Sequence, residues 1–173
     1  MGKGFSVART QTIRLDDYLS YLINRVGAAL VARFSAGALD ARGLSINDWR
    51  VLAVLSNSDR QRQVDLAGLT SIDPSTLSRL VARLVRTGLV TRSRSRTSNR
   101  EVEVQLTAKG RNAVRKMIPV ALDNERLAAS GLSAAQIAAV KNALRIMYRN
   151  LDKDLRRNAP SGEQSPRLTR ARK

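Results

Sequence analysis

The chain of 173 residues contains neither cysteine nor histidine. It therefore has no thiolate or imidazole to ligate zinc, an iron–sulfur cluster or haem, and it lacks the base of a Ser-His-Asp triad. Disulfide bonds and thiol redox switches are excluded for the same reason. The sequence also shows no convergent carboxylates and no phosphate-binding glycine loop. We expect a protein that is not an enzyme and that uses neither a metal nor a cofactor.

Long apolar runs are also missing. The longest stretch without charged side chains, 127–140, has 14 residues and is interrupted by serine, glycine and glutamine. A helix needs about 20 apolar residues to cross a bilayer. The N-terminal stretch 1–14 has no continuous apolar core of the kind found in signal peptides. We expect a cytoplasmic protein with no membrane-spanning helix and no membrane partner.

Acidic side chains are few. The 14 Asp and Glu accompany 31 Lys and Arg, which gives a formal net charge of +17. A surface of this charge favours a polyanionic partner. A compositional bias is the alternative, because 25 of the basic residues are arginine, the amino acid that GC-rich codons supply. The position of the charges along the chain decides between the two.

Apolar spacing divides the chain into helices and one pair of strands. Steps of three and four from Ile13 predict a long first helix that ends near Gly43. A capping box of Ser45 with Asp48 predicts the start of a second helix. Two short helices follow, and a period of two then predicts strands at 89–94 and 102–106. Two helices are expected at 108–130 and 134–152, with flexible ends at 1–12 and 153–173, the latter basic.

The stretch 64–88 has the pattern of a helix-turn-helix, with a tight polar turn before Asp73-Pro74. Its second helix is predicted to bury leucines and to expose hydroxyl and arginine side chains, which suit base edges and phosphates. The strand pair after it has the layout of a wing, whose tip can place an arginine in the minor groove. The candidate DNA-binding residues are Ser75, Thr76, Ser78, Arg79, Arg83, Arg94, Arg96 and Arg100. An ordinary amphipathic helix with a solvated basic face is the alternative for the second helix.

Basic charge is concentrated on these elements. Between Asp73 and Arg115, ten basic residues accompany three acidic ones, which gives +7 over 43 residues. A general arginine bias would not by itself favour the two elements that are expected to face DNA. The distribution therefore indicates double-stranded DNA as the partner.

Two segments resemble the MarR family of bacterial transcriptional regulators. The first, 66–90, reads LAGLTSIDPSTLSRLVARLVRTGLV. The second, LTAKG at 106–110, is similar to the family's Leu-Thr-x-x-Gly junction between the second wing strand and the next helix. The resemblance extends over 13–152, with the same order of elements. It has one departure, since Asn99 stands before Arg100 where the family's wing commonly carries an aspartate.

The resemblance implies a mainly α fold, of the α+β winged helix-turn-helix type, with long N- and C-terminal helices that form a dimerisation domain. The DNA-binding domain is expected at 45–107, and the dimerisation helices at 13–44 and 108–152. These helices expose more apolar surface than one winged helix can cover, so we expect a homodimer. A monomer whose terminal helices fold back on the core is the alternative.

The resemblance also implies an effector pocket between the dimerisation helices and the winged helix, often for a small aromatic or phenolic anion. The candidate residues are Arg14, Tyr18, Trp49 and Arg50, because an aromatic ring and a guanidinium suit an aromatic carboxylate. Plain core packing is the alternative for Trp49.

We interpret the chain as a sequence-specific transcriptional regulator, a ligand-responsive repressor that binds a pseudo-palindromic operator as a homodimer. A nonspecific architectural or nucleoid-associated DNA-binding protein is the first alternative. A protein that binds membrane surfaces through the basic stretch 153–173 is another.

Overall fold

The structure is a computed structural model that describes residues 12–58, 60–94 and 101–158. These parts of the chain form six α-helices and a three-stranded antiparallel sheet. The helices are α1 (Leu19–Phe34), α2 (Ile46–Ser56), α3 (Gln63–Thr70), α4 (Pro74–Arg86), α5 (Ala108–Ala128) and α6 (Ala134–Asn158). The strands are β1 (Gln61–Arg62), β2 (Val90–Arg94) and β3 (Val102–Leu106). The mainly α, winged helix-turn-helix architecture expected from the sequence is confirmed.

The first helix begins later than the apolar spacing predicts. Leu15–Asp17 form a separate 3-10 turn, the backbone is extended at Tyr18, and α1 starts at Leu19. Ile13 and Leu15 are exposed within the described part of the chain, and a helix depends on the packing of its apolar side chains. After α1 the chain continues through a π-helical turn (Ser35–Leu39) and a 3-10 turn (Asp40–Arg42). Gly43 ends it with a left-handed φ of 60°, as predicted.

The predicted helix caps are confirmed. The backbone N–H of Asp48 donates to Ser45 Oγ (3.2 Å), and the backbone N–H of Ser45 donates to the Asp48 carboxylate (2.7 Å). Asp73 caps α4 and is followed by Pro74 in the first turn. Thr107 Oγ1 caps α5 by accepting the backbone N–H three residues later (2.9 Å). These signals could be read from the sequence because a cap involves neighbours within four residues.

The sheet has one strand more than the predicted hairpin. The order is β1-β3-β2, and Val90 pairs with Leu106 while Arg94 pairs with Val102. The added strand β1 has two residues, and Gln61 pairs with Val104. A strand of two residues shows no periodicity, so the sequence pattern could not indicate it. Through its pairing with β3, β1 connects the segment before α3 to the wing.

A single hydrophobic core joins the winged helix to the C-terminal end of α1 and to α5. Its buried side chains come from the last residue of α1, the π-helical turn after it, α2, α3, α4, the sheet and the first half of α5. The largest of those that are fully buried are Leu39, Leu52, Leu55, Leu66, Leu77, Leu84 and Met117. Gly110 lies where α5 meets β2, and a Cβ at this position would overlap the carbonyl oxygen of Leu89. The absence of a side chain at Gly110 therefore allows α5 to approach the wing.

The last helix extends further and packs less than the other helices. α6 runs to Asn158, so the expectation that the chain is flexible from residue 153 is wrong for 153–158, where the helix adds more than a turn. The capping box that starts it is present, since Gln136 Oε1 accepts the backbone N–H of Ser133 (2.8 Å). Contacts to its own chain include the ion pair of Lys141 with Glu125. Its apolar stripe is largely exposed.

One helical run is long and apolar enough to cross a membrane by length and composition alone. It is Leu19–Arg42, with 24 residues and a mean hydropathy of 1.2 over its best window. The expectation that no segment reaches this level is wrong, because it considered only charge-free runs, and arginines interrupt this one. In the structure Arg33 donates to Asp123 Oδ2 (2.8 Å) and to Asn124 Oδ1 (3.2 Å) of α5. The run is thus tied to α5 by polar contacts.

Candidate nucleic-acid interface

The N-terminus of α4 is rigidly capped. The Asp73 carboxylate accepts the backbone N–H groups of Ser75 (2.9 Å) and Thr76 (3.1 Å) and the hydroxyl of Ser75 (2.7 Å). These hydrogen bonds, from Thr76 first and then Ser75, hold the pKa of Asp73 well below its usual range. Ser75 and Thr76 are therefore held in fixed positions at the start of the helix.

The face of α4 opposite the core carries polar and basic side chains. Ser75, Arg79 and Arg86 are exposed, and Thr76 and Ser78 are half-buried. Arg79 Nη2 lies 3.5 Å from Thr76 Oγ1, and neither Arg79 nor Arg86 has an ion pair within the described parts of the chain. The buried face is formed by Leu77, Leu80, Val81 and Leu84. The Ser75 hydroxyl and the guanidinium groups of Arg79 and Arg86 thus share the solvent-facing side of this helix, with Thr76 and Ser78 at its two edges.

Arg83 differs from the other arginines of α4. Its Nη2 donates to both carboxylate oxygens of Asp48, at 2.5 and 2.6 Å. Asp48 is fully buried, whereas the Arg83 side chain is 42% exposed. The structure therefore places this predicted DNA-binding residue against the first turn of α2.

The described part of the wing is strongly basic on β2. Of the β2 side chains only Val90 is buried, and Arg92 and Arg94 are exposed. Arg94 occupies the predicted position at the end of this strand, whereas Arg96 and Arg100 lie outside the described residues. The two acidic residues of the wing base are paired elsewhere, Glu101 with Arg62 (3.0 Å) and Glu103 with Arg60 (3.6 Å). The glutamates therefore do not neutralise the β2 arginines.

The candidate effector residues fall into two separate groups. Trp49 packs on Phe34, with ring centroids 5.1 Å apart, and lines an apolar cavity of about 590 Å³ among α1, α2, α5 and α6. Trp49 and Arg50 together line a second cavity of about 400 Å³ between α2 and α3. Arg14, paired with Asp16 (3.0 Å), and the exposed Tyr18 lie before α1 and line neither cavity. A single chain thus does not bring the four residues together.

Comparisons with known proteins agree with this geometry. A model of the MarR family matches residues 44–102. The HTH-type transcriptional repressor Rv2887 of Mycobacterium tuberculosis is 32% identical over 129 residues, which cover 75% of this chain and 92% of the relative. The chain belongs to the MarR family. It is therefore a transcriptional regulator by family. Membership of this family favours the interpretation of the chain as a transcriptional regulator over that of a nonspecific architectural protein.

Solved structures of MarR-family regulators share the fold. A regulator from Silicibacter pomeroyi is 30% identical, with a TM-score of 0.71 over 80% of this chain and 92% of that one. BpsR of Bordetella bronchiseptica is 29% identical, with a TM-score of 0.68 over 75% of this chain and 98% of that one. The DNA binding of BpsR is regulated by 6-hydroxynicotinic acid.

Sequence reasoning missed three charged residues of this MarR-family site. The local pattern identifies Asp48 only as a helix cap and does not indicate Arg60 or Arg62 as functional residues. Arg62 bonds to Asp65 (2.7 Å) and to Glu101 (3.0 Å), and these two partners, Asp65 first, raise its pKa. Each missed pair except Arg62 with Asp65 joins residues more than 30 positions apart. No local pattern signals such contacts.

Proposed function

We propose that this MarR-family regulator is a ligand-responsive repressor that binds a pseudo-palindromic operator as a homodimer in the cytoplasm. The observation that carries the proposal is the side of α4 opposite the core, where Ser75 follows the Asp73 cap and Arg79 and Arg86 are exposed and have no ion pair among the described residues. Such a helix can enter the major groove with its N-terminal residues toward the base edges.

We assign base contacts to the first half of α4. Ser75, Thr76 and Ser78 are short enough to let the helix approach the base edges, and Arg79 is long enough for a bidentate contact to guanine. Arg94, together with Arg96 and Arg100 of the wing, is assigned to the neighbouring minor groove and phosphates. The exposure of Arg79 and Arg94 and their lack of ion pairs among the described residues support this assignment.

The exposed apolar surface supports a second copy of the chain as the partner of the terminal helices. On α6 the apolar residues follow steps of three and four, so they form one stripe. The exposed members on the three helices are Leu19, Leu22, Ile23 and Val26 of α1, Ile118, Leu122 and Leu127 of α5, and Val140, Leu144, Leu151 and Leu155 of α6. A monomer would leave this surface in water, at a cost of about 25 cal/mol for each Å². A twofold dimer would bury it and present two α4 helices about 34–36 Å apart, one turn of DNA.

We propose that the effector binds beside Trp49 and that it is a small aromatic anion. Trp49 offers a ring to both cavities, and Arg50 adds a guanidinium on the α3 side. Regulation of the relative BpsR by 6-hydroxynicotinic acid supports this chemical class. Arg14 and Tyr18 belong to such a site only if they come from the second copy, since within one chain they line neither cavity.

Selection of bound sequences from a pool of random duplexes tests the operator and the dimer together. We expect an enriched sequence with two related half-sites whose centres lie about 10 base pairs apart. Competition with random DNA must then leave a specificity ratio of about 10³ or more. Equal retention of all duplexes would replace the proposal with the architectural alternative. A single half-site with a monomeric protein in solution would instead refute the dimer.

A further inference from the structure

Asp48 is the only buried carboxylate among the described residues. Its Oδ2 accepts the backbone N–H of Ser45 at 2.7 Å and the Ser45 hydroxyl at 2.8 Å. Arg83 Nη2 adds contacts of 2.5 Å to Oδ1 and 2.6 Å to Oδ2. A buried carboxylate is tolerated only where a cation and hydrogen bonds replace its lost hydration. Arg83 supplies that cation from a helix that is 35 residues away in sequence.

Arg83 lies on one flank of α4, on the same line as Thr76 and two turns further along, and its side chain is 42% exposed. Arg79 and Arg86 are seven residues apart, nearly two turns, and lie opposite the buried leucines. Arg83 is rotated from this line toward the N-terminus of α2, where it meets Asp48. Of the three arginines in α4, it is the one with an ion pair inside the described chain.

The ion pair connects two rigid parts of the winged helix. Asp48 is in the first turn of α2, where the capping box fixes its carboxylate. Arg83 is in the third turn of α4, beyond the residues proposed to read bases. A contact between these points limits both the rotation of α4 about its axis and its sliding along α2. Base readout needs side chains held to within about 0.5 Å, so this limit acts on specificity.

We propose that Arg83 is a positioning residue, whose ion pair with Asp48 sets the orientation of α4 for sequence-specific binding, and that it is not a phosphate contact. This inference rests on the proposed function, in that α4 is the element that reads DNA. It also assigns Asp48, a buried residue with no access to DNA, to the specificity of the regulator.

The two roles of Arg83 predict opposite effects of the variant Asp48→Asn. This variant removes a negative charge from the DNA-binding domain, so an electrostatic role predicts tighter binding to any duplex. Positioning predicts weaker binding to the selected duplex, by about tenfold, the size of one lost base contact. Affinity for random DNA is then unchanged or slightly higher.

The experiment measures affinity for a selected and a random duplex at several salt concentrations with wild type, Asp48→Asn, Arg83→Gln and the double variant. Under the proposal each single variant lowers the specificity ratio about tenfold. The double variant lowers the ratio by no more than either single variant does. The salt dependence of binding stays unchanged in all three. Arg86→Gln is the matched control for a phosphate contact and lowers the salt slope by about 1 on both duplexes. Ser45→Ala removes the two hydrogen bonds of the Ser45 hydroxyl with Asp48 and keeps both charges of the ion pair, so it lowers stability and changes the ratio less than the ion-pair variants do.

Two results would overturn the proposal. In the first, Arg83→Gln lowers the salt slope by about 1 and Asp48→Asn tightens binding, which makes Arg83 a phosphate contact. In the second, the melting temperatures fall but both affinities, measured well below them, equal those of wild type, which makes the pair merely structural. If a single variant does not fold because it leaves an unpaired charge, the double variant decides between these roles, since it has none. If wild type shows no sequence preference, the proposed function fails, and the salt slopes alone still determine whether Arg83 contacts phosphate.

Discussion

Gly110 provides a sharp test of how α5 positions the wing. In Gly110→Ala the added Cβ would overlap the carbonyl oxygen of Leu89 and would lie 3.2 Å from Leu106 Cδ2. The overlapping atom belongs to the backbone, so it cannot rotate away, and relief requires α5 to shift from β2. Such overpacking costs about 1–3 kcal/mol or more. The higher helix propensity of alanine offsets about 0.5–1 kcal/mol of that cost.

We expect the clash to dominate, with a net loss of about 2 kcal/mol. For a chain of this length that lowers the melting temperature by about 4–8 °C. Calorimetry at one fixed protein concentration measures this value, because the stability of an oligomer depends on concentration. Because this shift changes where the wing lies relative to α5, affinity for the selected duplex should fall as well.

Asn112→Ala is the matched control for Gly110→Ala. Asn112 is exposed on the opposite face of the same turn, so alanine there adds helix propensity without a clash. Its melting temperature should rise by about 1–2 °C. A Gly110→Ala protein that melts at or above the wild-type temperature would show that α5 has room at β2 and would refute the close-approach argument.

Four further predictions concern DNA, the dimer, the effector and pH. Arg79→Ala should reduce the preference for the selected duplex more than it reduces affinity for a random duplex. Arg100→Ala should lower the salt slope of binding by about 1. If the affinity of Arg100→Ala equals that of wild type at several salt concentrations, the wing is not part of the binding surface. Leu151→Arg places a charge in the apolar stripe of α6 and should halve the mass measured by equilibrium sedimentation. Asn142→Arg on the polar face of α6 is the control and should leave the mass unchanged. A wild-type protein that is already monomeric would contradict the dimer. Trp49 is the only tryptophan, so it reports ligand binding beside it. Its fluorescence should change and then saturate as 6-hydroxynicotinic acid or a related aromatic carboxylate is added. A fluorescence change that stays linear up to millimolar ligand would argue against a site beside Trp49. The pKa of Asp73 is lowered on folding. Its contribution to stability is therefore complete above the unfolded pKa of about 4 and is lost as the pH falls through the lower folded value. Denaturant unfolding at pH 2–6 should show that the free energy of unfolding declines less with falling pH in Asp73→Asn than in wild type, and equal declines would refute the assignment.

The local signals in the sequence predicted most of the secondary structure correctly. Ser45, Asp73 and Thr107 mark helix starts, Gly43 marks a helix end, and the alternation at 102–106 marks a strand. Each of these signals depends on residues within a few positions of one another, where backbone geometry and capping decide the outcome. The face of α4 with Arg79 opposite the leucines follows from the same local periodicity.

Contacts between distant segments decided the features that the sequence could not indicate. Ile13 and Leu15 are exposed among the described residues and α1 begins only at Leu19, and β1 exists because β3 pairs with it. The effector candidates separate because Arg14 and Tyr18 lie before α1, whereas Trp49 and Arg50 lie on α2 and line the cavities. These outcomes depend on where whole elements lie, which no spacing pattern encodes.

Arg83 shows most clearly what each level determines. The sequence by itself determined that α4 is a basic amphipathic helix and that Arg83 lies outside its buried stripe, because helical periodicity fixes the angle of every side chain. Only the tertiary structure decided what the guanidinium meets. Packing of α4 across α2 buries Asp48 beside it, and a carboxylate that has lost its water binds the nearest cation.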